Sequence, residues 1–353
     1  MSELPFALEK LPVGKSIVGR DEEIDSVVAA LSPGGKSLAI LAEARSGKET
    51  VVREALSRRS SMPGRMVVCD IDLTNVRSFE DFTAVWCDSM REAAQEVNRG
   101  ALLPFEIHID EIAGNKLFEL PGIVSSEAGV MLVVYFKEFQ NLLHLEGETF
   151  RLEQLDRIWS RQKGVRYIIT GSFINAMKSI FLERKCFYGM CRTLEFKPLD
   201  KKTVCQYIHS TFLNYGRIIE MEEAMAICEV ASCNMWYIKQ ICAFCCSLAG
   251  YYMNRKVVNE ARDSIISIHE PRFKQTIFDL TGQQVNLLHA VVDGTTRFST
   301  AETMERYHLN SSAGVARSKE GLMKKEVLTF DQDDNARIID PLFDYWLRHY
   351  YFI

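Results

Sequence analysis

A chain of 353 residues is too long for one ordinary hydrophobic core and fits two or three domains. Its 47% hydrophobic and 25% charged residues are globular values, which exclude a disordered or low-complexity chain. A net charge of −5 argues against a surface coated for nucleic acid, and no stretch approaches the roughly 20 apolar residues that cross a bilayer.

The opening MSELPFALEK lacks the basic start and apolar run of a signal peptide. Ten cysteines without such a signal point to a reducing cytoplasm. The first half then alternates apolar runs with amphipathic stretches. SLAILAEA (37–44), MVVCDIDL (66–73), VMLVVYF (130–136), VRYIITGS (165–172) and RTLEFKPL (192–199) read as strands. Near-continuous apolar runs suit parallel strands buried on both faces, and helical patterns such as KETVVREALSRR separate them. An α/β domain over 1–199 is therefore expected. The segment ALLPFEIHIDE (101–111) carries His108, Asp110 and Glu111, but no nucleophile or second ligand set accompanies them.

From residue 200 the strand signal disappears. KKTVCQYIHSTFLNYG, MEEAMAICEVAS and MWYIKQICAFCCSLAGYYMN read as amphipathic helices, a helical domain over 200–275 with Pro271 in a linker. Cys242, Cys245 and Cys246 form a C-x-x-C-C run, but no second His/Cys pair stands out, so buried thiols are expected rather than a metal site. Over 276–353, GQQVNLLHAVVDG is a helix ended by Gly294, and Ser299 with Glu302 spells a capping box for the next. SAGVARSKEGLMKKE comes after it, then EVLTF and ARIID flank the polar tip DQDDN as a hairpin. That succession is the winged-helix plan.

One loop carries chemistry. A strand running through RSGK into a helix is the setting of a phosphate-binding Walker A loop, in which backbone amides at a helix N-terminus face phosphate oxygens. Against G-x-x-x-x-G-K-[ST], Gly47 and Lys48 match, Ala42 replaces the first glycine, and Glu49 replaces the hydroxyl that ligates Mg²⁺. In VVYFKEFQ, an apolar strand ends where Asp-Glu would hold the metal and activate water; Glu138 is present, but Lys137 takes the Asp position. Thr170 and Ser172, at the end of the next strand, occupy the place of a γ-phosphate sensor.

With these motifs the chain resembles the archaeal-type ATPases, P-loop proteins related to the STAND and AAA-like switches. IVGRDEEIDSVVAAL looks like the family's opening segment, YFKEFQNL its D-E-F-Q segment, FYGMCRTLEFKPLD its "fyGR" stretch and IIDPLFDYWLRHY its ending. The resemblance covers nearly the whole chain. It implies a P-loop sheet of order 5-1-4-3-2, a helical lid and a winged helix. It also implies ATP or ADP as ligand, against Gly19, Arg20, Arg45, Ser46, Gly47, Lys48, Glu49 and Thr50, with Glu138 as catalytic residue. The lid motif G-x-P falls on Cys233, Asn234 and Met235, so its glycine and proline are both absent.

In a Walker site the hydroxyl and the Asp point at one Mg²⁺, so Glu49 and Lys137 are expected to meet as an ion pair where the metal would be. The alternative is that both are solvated and never touch. Thr50, one residue on, is turned by about 100° and should point elsewhere. Without Mg²⁺, hydrolysis should be absent or very slow. Two functions are then open: a nucleotide-binding switch with impaired hydrolysis, or a nucleotide-free scaffold working through its winged helix. On that helix Arg317 and Lys319 are the candidate DNA contacts, but the acidic wing tip and the mixed charge favour a protein or intramolecular contact.

Overall fold

The computed structural model describes residues 6, 12, 14–99, 114–147, 150–331 and 335–353. His108, Asp110 and Glu111, and the wing-tip residues 332–334, lie outside them. The chain divides into two compact units: Arg20–Lys197, and Pro198–Ile353 together with Met1–Gly19.

In the first unit, α1 (Asp21–Ala30), β1 (Ser37–Leu41), α2 (Lys48–Ser60), β2 (Met66–Asp72), α3 (Phe79–Asn98), α4 (Leu120–Ala128), β3 (Met131–Lys137), α5 (Leu152–Trp159), β4 (Val165–Thr170), α6 (Ile174–Lys178) and β5 (Cys191–Glu195) follow in order. The five strands form one parallel sheet, β2-β3-β4-β1-β5, the 5-1-4-3-2 order that the resemblance implies. Every residue of β1 and the centre of β3 are buried, because helices cover both faces of a parallel sheet. On one face Trp86 of α3 stacks on Trp159 of α5 at 5.8 Å, and Trp159 stacks on Tyr167 of β4 at 4.6 Å. These rings, all at most 1% exposed, fix the sheet to its helices. Ser78 and Asp81 close a reciprocal capping box at the start of α3.

The second unit contains α7 (Lys201–Asn214), β6 (Ile218–Ile219), α8 (Met221–Val230), α9 (Met235–Leu248), β7 (Tyr252–Met253) and α10 (Arg255–Phe278). Then come α11 (Gly282–Val292), α12 (Ala301–Arg306), α13 (Ser312–Lys324), β8 (Leu328–Phe330), β9 (Ala336–Ile338) and α14 (Pro341–Trp346). Strands β8 and β9 pair antiparallel as the wing. Cys242 and Cys245 are fully buried on α9.

Two local expectations change. Pro271 is not in a linker but inside the 24-residue α10. An interior proline removes a hydrogen bond and costs about 3 kcal/mol. Ile265, Ile266 and Phe273 are buried on either side of it in one continuous core, and that packing offsets the cost. At α12 the cap is Thr300, whose hydroxyl accepts from the Thr303 amide, rather than Ser299. Adjacent hydroxyl residues compete for this position, and a register one residue later wins.

Candidate functional site

The residues singled out from β1, α2, β3 and β4 meet at the C-terminal edge of the sheet. Gly47, at φ +91°, caps α2 in the left-handed region that only glycine adopts freely. No side chain caps the amides of α2, and a helix N-terminus with such amides is a ready anion site. Arg45 also has positive φ, and the Ser46 hydroxyl donates to Glu43 O at 2.7 Å. Thr50 is buried on α2. Arg20, 9% exposed, donates to Glu23 and to the Lys197 carbonyl, both at 2.7 Å, and stacks on Phe196. Gly19 has φ +60°, and a Cβ there would come within 3.1 Å of Leu199.

Lys48 turns back onto its own loop: Nζ donates to Ala42 O at 3.0 Å and Glu43 O at 2.5 Å. Burial pushes its ammonium down to about 8, while the carboxylates of Glu138 and Glu43 act in the opposite sense. Glu138, at φ +53°, is clamped. One carboxylate oxygen accepts from Ser172 Oγ at 2.5 Å; the other accepts from Ser172 N at 3.2 Å and Gln140 Nε2 at 2.8 Å. Gln140 is itself buried against Gly171, where a Cβ would meet Gln140 Oε1 at 2.3 Å. Ser172 thus holds the carboxylate, whereas the buried Thr170 hydroxyl donates to Phe136 O at 2.9 Å and ties β4 to β3.

Where the sequence pattern would place metal ligands stands a ring of four charges. Lys137 Nζ lies 3.7 Å from Glu49 Oε1, but its nearer partner is Asp70 of β2 at 3.1 Å. Arg53, one turn along α2, bonds Glu49 at 2.8 Å and approaches Asp70 at 3.6 Å. Two cations and two anions alternate and sum to zero. The side chains of Glu49, Arg53 and Asp70 are 39–49% exposed, so each pair contributes only about 0–1 kcal/mol. The composition matters more than the energy. Mg²⁺ takes oxygen ligands in a tight octahedron, and here an ammonium and a guanidinium already occupy both carboxylates. These donors do not fit the ion.

Sequence reasoning named Glu49 and Lys137 and missed Asp70, Arg53 and Gln140. Arg53 was within reach, since i,i+4 pairs face each other on a helix. Asp70 was not: it follows from the β2–β3 register, which pairs Asp70 with Tyr135 and Asp72 with Lys137.

On α13, Arg317 is exposed, whereas Lys319 Nζ sits 5.0 and 4.6 Å from the Phe298 and Phe330 ring centroids. Two cation–π contacts therefore hold Lys319 against its own domain.

Residues 271–349 match the model of a probable winged helix domain. The sequence matches no curated protein. The structure is similar to the Walker-type ATPase PABY2304 of Pyrococcus abyssi over 98% of this chain and 100% of that one, at 16% identity and a TM-score of 0.74. It is similar to the ORC2 protein of Aeropyrum pernix, solved as ADPNP–ADP complexes, over 96% and 93%, at 12% identity and a TM-score of 0.62. To the Aeropyrum pernix ORC1 protein in complex with DNA the likeness spans 98% and 96%, at 13% identity and a TM-score of 0.50. The fold is thus that of the archaeal Walker-type ATPases: a P-loop sheet, then helices and a winged helix.

Proposed function

We propose that this chain is an ATP- or ADP-binding P-loop switch in which Mg²⁺-dependent hydrolysis is absent or very slow. One observation carries the reading: Lys137 Nζ lies within 4 Å of both Glu49 and Asp70, at the position where the sequence pattern would place metal ligands. The uncapped amides of α2, left-handed Gly47 and Lys48 keep the elements that hold phosphate. Glu138 retains the residue type that activates water, but its oxygens are tied to Ser172 and Gln140. Phosphoryl transfer without a cation bridging the β and γ oxygens lacks its main electrostatic stabilisation. Phosphate release from ATP is expected at background, unchanged by Mg²⁺ and by Glu138→Gln; metal-dependent turnover that Glu138→Gln abolishes contradicts the reading.

The state of Lys48 gives a second test. A polyphosphate recruits the ammonium form, whereas the free protein loses that proton above about pH 8. ADP affinity is therefore expected to be flat below pH 7.5 and to weaken above 8, with proton uptake on binding. Titrations near pH 8.5 in buffers of different ionisation enthalpy should differ in heat, and Lys48→Arg should remove the difference. The sign for stability is the reverse. The unfolded lysine keeps its ordinary value of 10.5, so between about 8 and 10.5 the unfolded chain binds more protons. The folding penalty of burying this charge is present in full below 8 and relieved as pH rises through that window.

A second reading, a nucleotide-free scaffold working through its winged helix, draws on the bonds from Lys48 to Ala42 O and Glu43 O, which satisfy the ammonium without phosphate. It requires that ADP leave the protein's melting temperature unchanged. For the winged helix, Arg317→Glu tests contact with DNA; weakened, salt-dependent binding of duplex DNA would assign that partner.

A further inference from the structure

The helical unit holds three thiols that no part of the nucleotide reading uses. Cys205 of α7 and Cys228 of α8, each 1% exposed, stand with their sulfurs 3.3 Å apart. Cys233, five residues beyond Cys228, is half-buried in the turn between α8 and α9. That turn is a Schellman motif. Ser232 and Cys233 have φ +44° and +60°, Cys233 N donates to Cys228 O at 3.0 Å, and Ser232 N donates to Glu229 O at 3.3 Å. The motif ordinarily brings an apolar pair together across the helix end. Here both members of that pair of positions are cysteines, Cys228 buried and Cys233 partly exposed, with the backbone bond from Cys233 N to Cys228 O closing the turn between them.

We propose that Cys233 and Cys228 form a peroxide-responsive dithiol, in which Cys233 is oxidised first and Cys228 resolves it to an intramolecular disulfide. In the first step the Cys233 thiolate attacks a hydroperoxide oxygen. An S–O bond forms, the O–O bond breaks, and hydroxide departs as sulfur loses two electrons to the peroxide. In the second, the Cys228 sulfur attacks Cys233; the S–S bond forms, the S–O bond breaks, and the leaving hydroxide takes the Cys228 proton as water. The surroundings favour this order. The neighbouring Cys228 side chain, followed by the Lys201 ammonium, pulls Cys233 down to about 7 against its burial, while Cys228 is pushed up. A thiol abundant as thiolate and accessible is the one that peroxide reaches. Formation of the bond takes Cys228 away from Cys205 and fastens the end of α8 to the residue just before Asn234, the N-cap of α9.

The full-length protein, treated with dilute hydrogen peroxide and then alkylated with iodoacetamide, tests this by tryptic mapping. Cys228 and Cys233 share the peptide 218–239, and Cys205 lies in 203–217. The expected product is peptide 218–239 unalkylated and lighter by two hydrogens, restored to two free thiols by dithiothreitol. Cys233→Ser should leave Cys205 and Cys228 reduced, and both Cys205→Ser and Cys205→Ala should still give the 218–239 disulfide. Without peroxide, Cys233 should alkylate at pH 7 about fivefold faster than an ordinary exposed thiol, with its rate rising through an inflection near 7. A cross-link joining 203–217 to 218–239 in its place, or Cys233 overoxidised with Cys228 still free, would overturn the proposal.

Discussion

Replacing Glu49 by Thr and Lys137 by Asp together is expected to make nucleotide binding depend on Mg²⁺. The native ring of Glu49, Arg53, Asp70 and Lys137 is neutral. The double substitution leaves Arg53 against two carboxylates and supplies a hydroxyl, for a net charge of −1. An ammonium, which has no lone pair to offer a metal ion, is replaced by an oxygen donor, and the neighbouring hydroxyl adds another. Mg²⁺ should then strengthen ADP or ATP binding by about tenfold or more, equivalent to about 1.4 kcal/mol. In the native protein the ion should change affinity less than about twofold, below ~0.5 kcal/mol. Lys137→Asp alone gathers three carboxylates around one guanidinium, and its melting temperature should rise on adding Mg²⁺. Calorimetric titration with and without EDTA reads the first outcome, and thermal unfolding reads the second.

Asp340→Ala should destabilise the winged-helix unit strongly. Asp340 accepts from the Leu342 and Phe343 amides and so caps α14. The same carboxylate takes the hydroxyl of fully buried Tyr237 at 2.8 Å and Arg272 at 2.8 Å. Loss of a cap costs about 1 kcal/mol, and a buried hydroxyl left without its acceptor costs about 1–3 kcal/mol more. A total of about 3 kcal/mol is expected in denaturant unfolding. Asp340→Asn, which keeps the cap and an acceptor, should lose clearly less; equal losses would assign the effect to the Arg272 pair alone.

Much of the fold was readable because its strands are apolar runs of the right length and its turns carry their own chemistry. The phrase IIDPLFDYW shows why: Asp340 caps, Pro341 takes the first helical turn, and Leu342, Phe343 and Trp346 are buried. Local rules failed where tertiary packing outweighed them, as at Pro271, whose cost is met by a core on both sides of α10. In the site, the residue types at 49 and 137 announced an altered metal position, but not the full ring. Asp70 enters through sheet register, and the clamp on Glu138 arises because Gly171 lets Gln140 approach and β4 delivers Ser172. The thiol pair at the end of α8 was equally hidden, since the sequence shows cysteines five apart and not the left-handed turn that brings them together.

We propose that a neutral ring of side chains stands in for the metal while the phosphate loop still binds. Calorimetric titration of the native protein with ADP, in EDTA and again in excess Mg²⁺, addresses it most directly. Binding of similar strength in both, weakened by Lys48→Ala, is the predicted result. Binding that appears only with Mg²⁺, or no binding in either condition, would contradict it.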